Sequence, residues 1–409
     1  MDVNTKKVLY ISYDGMTDQL GQSQVIPYLR ELSKTGYSFH ILSVEKKERL
    51  AERGEMIRSL LAQSGIQWTT LPFSKRPPFL SKLYDQWKLN RTALHIARRE
   101  KMNLLHCRSY VPAAAGLKVL KRLKTPFLFD MRGFWVDERV DSGLWNLKNP
   151  LYRFLYKLYK KKEKKYFSSA AHIISLTHKG KEELVSHYNI PAEKISVIPC
   201  CTDLDHFDYK KISDGQKNTI REKLNISTNA KVLSYLGSLG GWYMTSEMLD
   251  FYLELKKTHP ELIFLFITPD SAADVFAKAA ARGIAENEVR VIQAGRNEVP
   301  GLLAISDWNI FFIRDAYSKK ASSPTKQGEV MAMGIPLICN DIGDTGKIIK
   351  ESGAGVLVTA FSEEGYKKAC DELDRLTAAP ERIRESSCRY YDLSGGVEVY
   401  KKVYSEIIH

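Results

Sequence analysis

Short runs of β-branched, aliphatic and aromatic residues recur along the chain, and between them lie stretches with helical spacing. This alternation limits the possible folds more than any other feature of the sequence. A first series of runs covers 8–12, 39–44, 104–107, 127–129, 172–176 and 195–199. A second covers 232–236, 262–268, 289–293, 308–313, 336–339 and 355–358. In the intervening stretches apolar residues fall at i, i+3, i+4 and i+7, as Val25, Tyr28, Leu29 and Leu32 do. Near-continuous apolar strands alternating with amphipathic helices predict parallel sheets covered on both faces. Two series predict two doubly wound α/β domains, divided near the polar stretch 206–230. A length of 409 residues accommodates them, at about 150 residues per domain. Ligands of such sheets bind beyond the carboxyl ends of the strands, so two facing domains are expected to hold a site in the cleft between them.

With 44% hydrophobic residues the chain can build a core, which excludes wholesale disorder. No run reaches the roughly 18–20 apolar residues of a spanning helix. The opening MDVNTKKVLYISYDG reads as a buried strand and not as a signal peptide, so a cytoplasmic location is expected. The six cysteines show no CxxC and no zinc-type spacing with histidine, which predicts reduced thiols and no metal site. A net charge of +13 calls for an anionic partner: nucleic acid, a membrane surface or a phosphorylated ligand. Part of that charge is concentrated in 151–167, LYRFLYKLYKKKEKKYF, with seven Lys/Arg and one Glu. Leu151, Phe154, Leu155, Leu158 and Tyr159 recur there at helical spacing. An anionic membrane is the expected partner of this helix, with Lys157, Lys160–Lys162, Lys164 and Lys165 on headgroups and Tyr152, Phe154, Tyr156 and Tyr159 entering the surface; a solvated surface helix is the plainer alternative.

Three segments carry chemistry. After the first run, 13–24 places Gly15, Gly21 and Gln22 in a loop before a helix expected to begin near Val25. A strand, a glycine-containing loop and a helix start form an anion site, because free N–H groups and the helix dipole point at the ligand. The spacing is not that of a dinucleotide fingerprint. The second series opens in the same way with YLGSLGGWYM, where Gly237, Ser238, Gly240 and Gly241 allow close backbone approach to a diphosphate. The third segment, SSPTKQGEVMAMGIPLI from Ser322, predicts a helix with Pro324 in its first turn, Ser322 or Ser323 near its cap, and Gly334 at its end. Lys326 and Glu329, three apart, share one face of it. A lysine there neutralises phosphate, and a carboxylate accepts the hydroxyls of a ribose; a surface ion pair is the plainer alternative.

SPTKQGEVMAMGIPLI resembles the nucleotide-sugar signature of retaining GT-B glycosyltransferases of family 4, the group 1 type. The resemblance runs over nearly the whole chain. IPCCTDLDHF is similar to the family's interdomain segment, ICNDIGDTGKII to the stretch after the signature, and FSEEGYKKA and SGGVEVYKKVYSEI to the closing helices. It implies a GT-B fold of two Rossmann-like domains facing each other across a cleft. The acceptor-binding domain would span 1–205 and be joined by a returning helix, 390–409; the nucleotide-sugar domain would span 206–389.

The activity implied is sugar transfer, with retention, from a nucleotide-diphosphate sugar to a glycan or polyprenyl-diphosphate-linked acceptor in bacterial surface polysaccharide or glycoconjugate assembly. The cellular setting implied is cytoplasmic, peripheral at the inner face of the membrane. Glu329 matches the second Glu of the family signature, which holds the donor ribose; Ala321 stands where the first belongs. A subgroup with SPTK ahead of the second Glu is similar. Donor contacts carried over are Gly237, Ser238, Gly240, Arg296, Ser323, Thr325, Lys326 and Glu329. PFLFDMRGFWVDE aligns with the strand that ends in the family's His, and Arg132 occupies that place. Arg132, Asp130 and Lys326 are the candidate catalytic groups, Arg108 ends the preceding strand, and Gly15, Gly21 and Gln22 form the acceptor and diphosphate loop. No DxD motif sits in a suitable loop, so neither a metal nor another cofactor is expected; positive groups and helix starts meet the leaving-group charge instead. No placed carboxylate pair points to double displacement, which favours a front-face route. Two rival readings are a GT-B sugar-nucleotide epimerase, which needs catalytic acids at the sugar, and a basic nucleic-acid-binding protein. The latter lacks a recognisable module, and no nucleic-acid partner is expected.

Overall fold

The structure is a computed structural model that describes residues 5–408. The chain forms two compact units. Unit 1 holds the described residues up to Pro199, with Tyr317–Ser322 and the chain from Leu393 onward; unit 2 holds Cys200–Ala316 and Ser323–Asp392. Unit 1 is built on a seven-stranded sheet of β1 (Lys6–Ser12), β2 (Tyr37–Glu45), β3 (Gln67–Pro72), β4 (Leu104–Arg108), β5 (Phe127–Asp130), β6 (His172–Ser175) and β7 (Ile195–Val197), in the order 3-2-1-4-5-6-7. Unit 2 has six strands: β8 (Val232–Leu236), β9 (Ile263–Ile267), β10 (Val289–Ile292), β11 (Trp308–Phe311), β12 (Leu337–Cys339) and β13 (Gly355–Leu357), in the order 10-9-8-11-12-13. All pairings are parallel. Such sheets are buried on both faces, as β1, β4, β5 and β8 show, which is why their sequences read as unbroken apolar runs. The fold class is therefore α/β, with two doubly wound sheets.

Every expected run is a strand. The one strand without a matching expectation, β3, has the sequence QWTTLP and lies at the sheet edge with only Leu71 buried. Half-exposed and polar, it lacks the apolar run that marks the inner strands.

Two later segments complete unit 1. In the helix Leu393–Ile407, Tyr400 and Tyr404 meet Tyr28 and Tyr37 edge-on, with ring centres 5.5 and 5.2 Å apart. The Tyr404 hydroxyl lies 2.6 Å from His106 Nδ1. Tyr317–Ser322 docks through Tyr317 stacked on Phe134, the Ser318 N–H donating to Asp141, and Lys319 and Lys320 paired with Glu138 and Glu183. Ala321 is fully buried there, and a side chain added at Gly180 would come within 2.9 Å of its methyl.

Local chemistry explains where the helices differ from expectation. The loop 13–24 already contains a helix, Gln19–Gln24, and the backbone breaks at Val25 before Ile26–Ser33, whose early Pro27 lacks the N–H that would continue the ladder. Pro324 is the cap position, with extended backbone, and the helix runs Thr325–Ala332. It ends at Gly334, whose φ of +70° permits the Gly334 N–H to reach the Met331 carbonyl and the Ile335 N–H the Val330 carbonyl. In the helix Pro150–Ser169, Tyr156, Tyr159 and Lys160 turn inward. Tyr156 donates to Asp137, Tyr159 packs on Trp135 and Trp145, and Lys160 pairs with Asp137 and Glu163. These three are structural, contrary to their expected place at a membrane. Among the described residues no helix is long and apolar enough to cross a membrane.

Candidate functional site

The strongest constellation in unit 2 centres on Lys326. β8 ends in Tyr235-Leu236, and the glycine loop that follows folds back on β11: the Met244 N–H donates to the Phe312 carbonyl, and Tyr243 bridges Ile313. This return brings Tyr243 over Lys326. The ammonium lies 3.7 Å from the Tyr243 ring centre, 4.1 Å from that of Tyr235 and 6.0 Å from that of Phe311. Lys326 is 6% exposed, and burial pushes its pKa well down, with Glu329 opposing. Desolvating a lone ammonium costs several kcal/mol. Aromatic faces each return up to about 2 kcal/mol, so the cage offsets part of that cost without adding a counter-charge. Of the three donors on Nζ, one reaches the Tyr235 hydroxyl at 2.9 Å. That hydroxyl in turn donates to the Ser238 carbonyl. The remaining donors suit an anion.

The glycines here serve mainly to make room. Gly237 has φ +106°, and a Cβ on it would lie 3.2 Å from Lys326 Nζ. Its N–H donates to the Ile267 carbonyl, and the Leu239 N–H to the Asp270 carboxylate. Gly237 therefore admits the ammonium instead of offering its own N–H to a ligand. Gly240 has open space around its Cα, and Ser238 enters the network through its carbonyl.

Glu329 stands about one turn beyond Lys326 and is largely buried. Burial raises its pKa, against Arg296 and Lys326. Arg296 Nη1 lies 3.9 Å from its carboxylate. The guanidinium also covers Phe207, and the Arg296 carbonyl lies 3.1 Å from His206 Nε2. Thr325 starts the helix, and the Ser323 hydroxyl accepts from the Cys200 N–H. Unit 2 thus gathers Gly237, Lys326, Glu329 and Arg296 into one group. The aromatic cage was missed in the sequence; its only signal was a tyrosine two residues before the glycine loop.

In unit 1, the ends of β4 and β5 carry a buried charge cluster. Asp130 is 1% exposed; burial pushes its carboxyl up, but Arg132, His106 and Arg108 outweigh that and hold it below the usual carboxylate range. Arg132 Nη1 lies 3.5 Å from Asp130 Oδ1, and Arg108 Nη1 lies 3.7 Å from Oδ2. Arg108 Nε is 3.8 Å from Asp14. Burial keeps His106 neutral more readily than a free imidazole. Two other charged residues of this loop are structural: Asp137 accepts from Tyr156 and Lys160, and Glu138 from Lys319.

The loop after β1 is held by a carboxylate the sequence did not single out. Glu45, fully buried at the end of β2, accepts from the Met16 N–H at 2.7 Å, the Thr17 N–H and hydroxyl, and the Ser43 hydroxyl. A Cβ on Gly15 would strike this carboxylate at 2.5 Å, and one on Gly21 would lie 2.3 Å from the Gly15 carbonyl. Gln22 closes the loop on the Thr17 carbonyl. Among the described residues no cluster of His, Cys, Asp or Glu suits a metal ion.

Comparison with known proteins gives a consistent result. Residues 23–206 match the family model described as Glycosyltransferase Family 4, and residues 216–388 match Glycosyl transferases group 1. No curated protein matches the chain at a significant level. Among solved structures, a glycosyltransferase from Rickettsia africae is similar at 18% identity, covering 99% of each chain with a TM-score of 0.73. Anabaena HepE, solved with UDP and glucose, is 14% identical over 98% of this chain and 99% of its own, at TM-score 0.68. Sucrose-phosphate synthase from Thermosynechococcus elongatus is 12% identical over the same shares, at 0.69. The two family matches leave few residues unassigned, and the parallel sheets agree with these folds: the chain belongs to the group 1 glycosyltransferases, enzymes of the two-domain GT-B fold.

Proposed function

We propose that this enzyme transfers a sugar, with retention, from a nucleoside-diphosphate sugar to a glycan or polyprenyl-diphosphate-linked acceptor in bacterial surface polysaccharide or glycoconjugate assembly. The observation that carries the donor reading is the caged Lys326, set against Gly237 with Glu329 about one turn away. A diphosphate takes the open donors of Lys326, and the ribose hydroxyls donate to Glu329, whose charged form Arg296 favours against burial. Charge on the diphosphate grows as the glycosidic bond breaks, so a preorganised ammonium in a water-poor cage stabilises the transition state more than the ground state. This supports a route without a metal. Ala321 is buried in unit 1 where the family's first Glu belongs, so this chain orients the donor sugar without that carboxylate. Arg132, aligned by Asp130, is assigned to anionic charge on the substrates, and the loop containing Gly15, Gly21 and Gln22 to the acceptor.

Solved HepE complexes contain UDP or UDP-glucose, which makes uridine donors the first to try. A thermal-shift panel of UDP-, GDP-, ADP- and CMP-sugars tests the reading, since a ligand that binds only the native state raises the melting temperature. Stabilisation by one nucleotide class is expected; stabilisation by none contradicts the proposal.

A further inference from the structure

Unit 1 carries two exposed apolar stripes that its core does not use. On the helix Pro78–Arg99, Leu80, Leu83, Tyr84 and Trp87 follow the i, i+3, i+4, i+7 pattern and are 49–63% exposed. On Pro150–Ser169, Leu151, Phe154 and Leu158 form a second stripe, extended by Leu144, and are 37–63% exposed. Amphipathic helices normally turn such a stripe to the core. Here the core-facing positions are filled separately, by Leu89 and Ala93 on one helix and Tyr166 and Phe167 on the other.

The two stripes share one edge of unit 1. Both helices connect parallel strands, so each begins at the carboxyl edge of the sheet. Both pack beside the helix Tyr110–Leu123, close to its start: Gln86 donates to the Val111 carbonyl, and the Tyr110 hydroxyl donates to Glu163. Tyr13, at the end of β1, donates to Asp85 on the first of them.

Charge is arranged around the stripes with one sign. Residues 74–99 hold seven Lys/Arg and a single acid, Asp85; residues 142–168 hold eight and a single acid, Glu163. Both acids are buried and engaged internally. Over the whole chain, unit 1 has 39 Lys/Arg against 20 Asp/Glu, a net +19, and unit 2 has 22 against 28, a net −6. The overall +13 therefore conceals a strongly basic unit and a mildly acidic one.

We propose that unit 1 docks on an anionic lipid bilayer through the first halves of these two helices, with Leu80, Leu83, Trp87, Leu151, Phe154 and Leu158 entering the headgroup region. Nucleic acid would satisfy the lysines but gives no place to bury six aliphatic and aromatic side chains on two separate helices. A bilayer accepts both, because apolar side chains gain from the acyl boundary while lysines and arginines meet lipid phosphates. Docking is independent of which sugar unit 2 selects.

The test is sedimentation of the full chain with vesicles of phosphatidylethanolamine and phosphatidylglycerol, and with phosphatidylcholine alone. Binding is expected to the anionic vesicles, weakened by salt, and absent from phosphatidylcholine. Tyr84→Ser with Trp87→Ser, Phe154→Ser with Leu158→Ser, and Lys161→Glu with Lys164→Glu each lower it tenfold or more, at unchanged melting temperature. These side chains are exposed, so the fold does not depend on them. No binding to anionic vesicles, or binding insensitive to both serine pairs, overturns the proposal. So does a solution dimer that the serine pairs break while vesicle binding persists, because the stripes would then face a second copy.

Discussion

Lys326 and Glu329 have environments that push their titrations toward each other, and a pH profile follows from that. Burial lowers the lysine and raises the carboxyl. A bound diphosphate favours the charged ammonium, so its pKa rises on binding and a proton is taken up wherever the pH lies between the free and bound values. Nucleoside-diphosphate affinity is therefore expected to fall on the alkaline side as free Lys326 loses its proton, and on the acid side as Glu329 gains one. Calorimetry in buffers of different ionisation heat should show the uptake as pH rises through the titration of free Lys326; no uptake at any pH contradicts a buried lysine on the phosphate. Spacing alone brought out these two residues, because three positions on a helix fix a shared face. The cage was not legible, because Tyr243 reaches Lys326 only through the return of its loop onto β11. Glu45 was equally hidden: it closes a strand, and of its four donors three come from Met16 and Thr17 in a distant loop and one from its own strand.

Among the elements, glycine loops were the easiest to find and the easiest to misread. Gly237 looked like a phosphate-cradling residue, yet its N–H is taken by the sheet and its missing side chain is what matters. The loop after β1 is shaped by packing against Glu45 as much as by its glycines. Glu45→Gln replaces one acceptor oxygen with a donor facing other donors, and hydrogen bonds to a buried charge are worth about 1.5–3 kcal/mol each. A loss of about that size in the stability of unit 1 is expected in denaturant unfolding, with nucleoside-diphosphate binding by unit 2 retained. An unchanged midpoint would show that the loop holds without the carboxylate. Edge strand β3 and the break at Val25 escaped the periodicity because an edge is half-exposed and a break depends on one residue's backbone angles.

For the whole molecule, the alternation of runs was sufficient for two parallel sheets, since strands buried on both faces leave a signal that needs no partner to interpret. Which later segments complete unit 1 was less legible: Tyr317–Ser322 joins it through contacts with Phe134, Glu138, Asp141 and Glu183, all distant in sequence. That docking buries Ala321. If Lys326 meets the leaving-group charge, turnover is expected to survive EDTA; loss on chelation, restored by magnesium or manganese, contradicts that. In the proposed function Lys326 and Glu329 hold the diphosphate and ribose of the donor. Titration calorimetry of UDP, GDP, ADP and CDP against the wild type, Glu329→Gln and Lys326→Ala tests it most directly. One nucleotide is expected to bind the wild type at a single site. Loss of a charge-assisted hydrogen bond worth about 1.5–3 kcal/mol should weaken it roughly tenfold to a hundredfold in Glu329→Gln, with the melting temperature unchanged. Equal affinity in the wild type and both variants would remove these residues from the donor site and contradict the account.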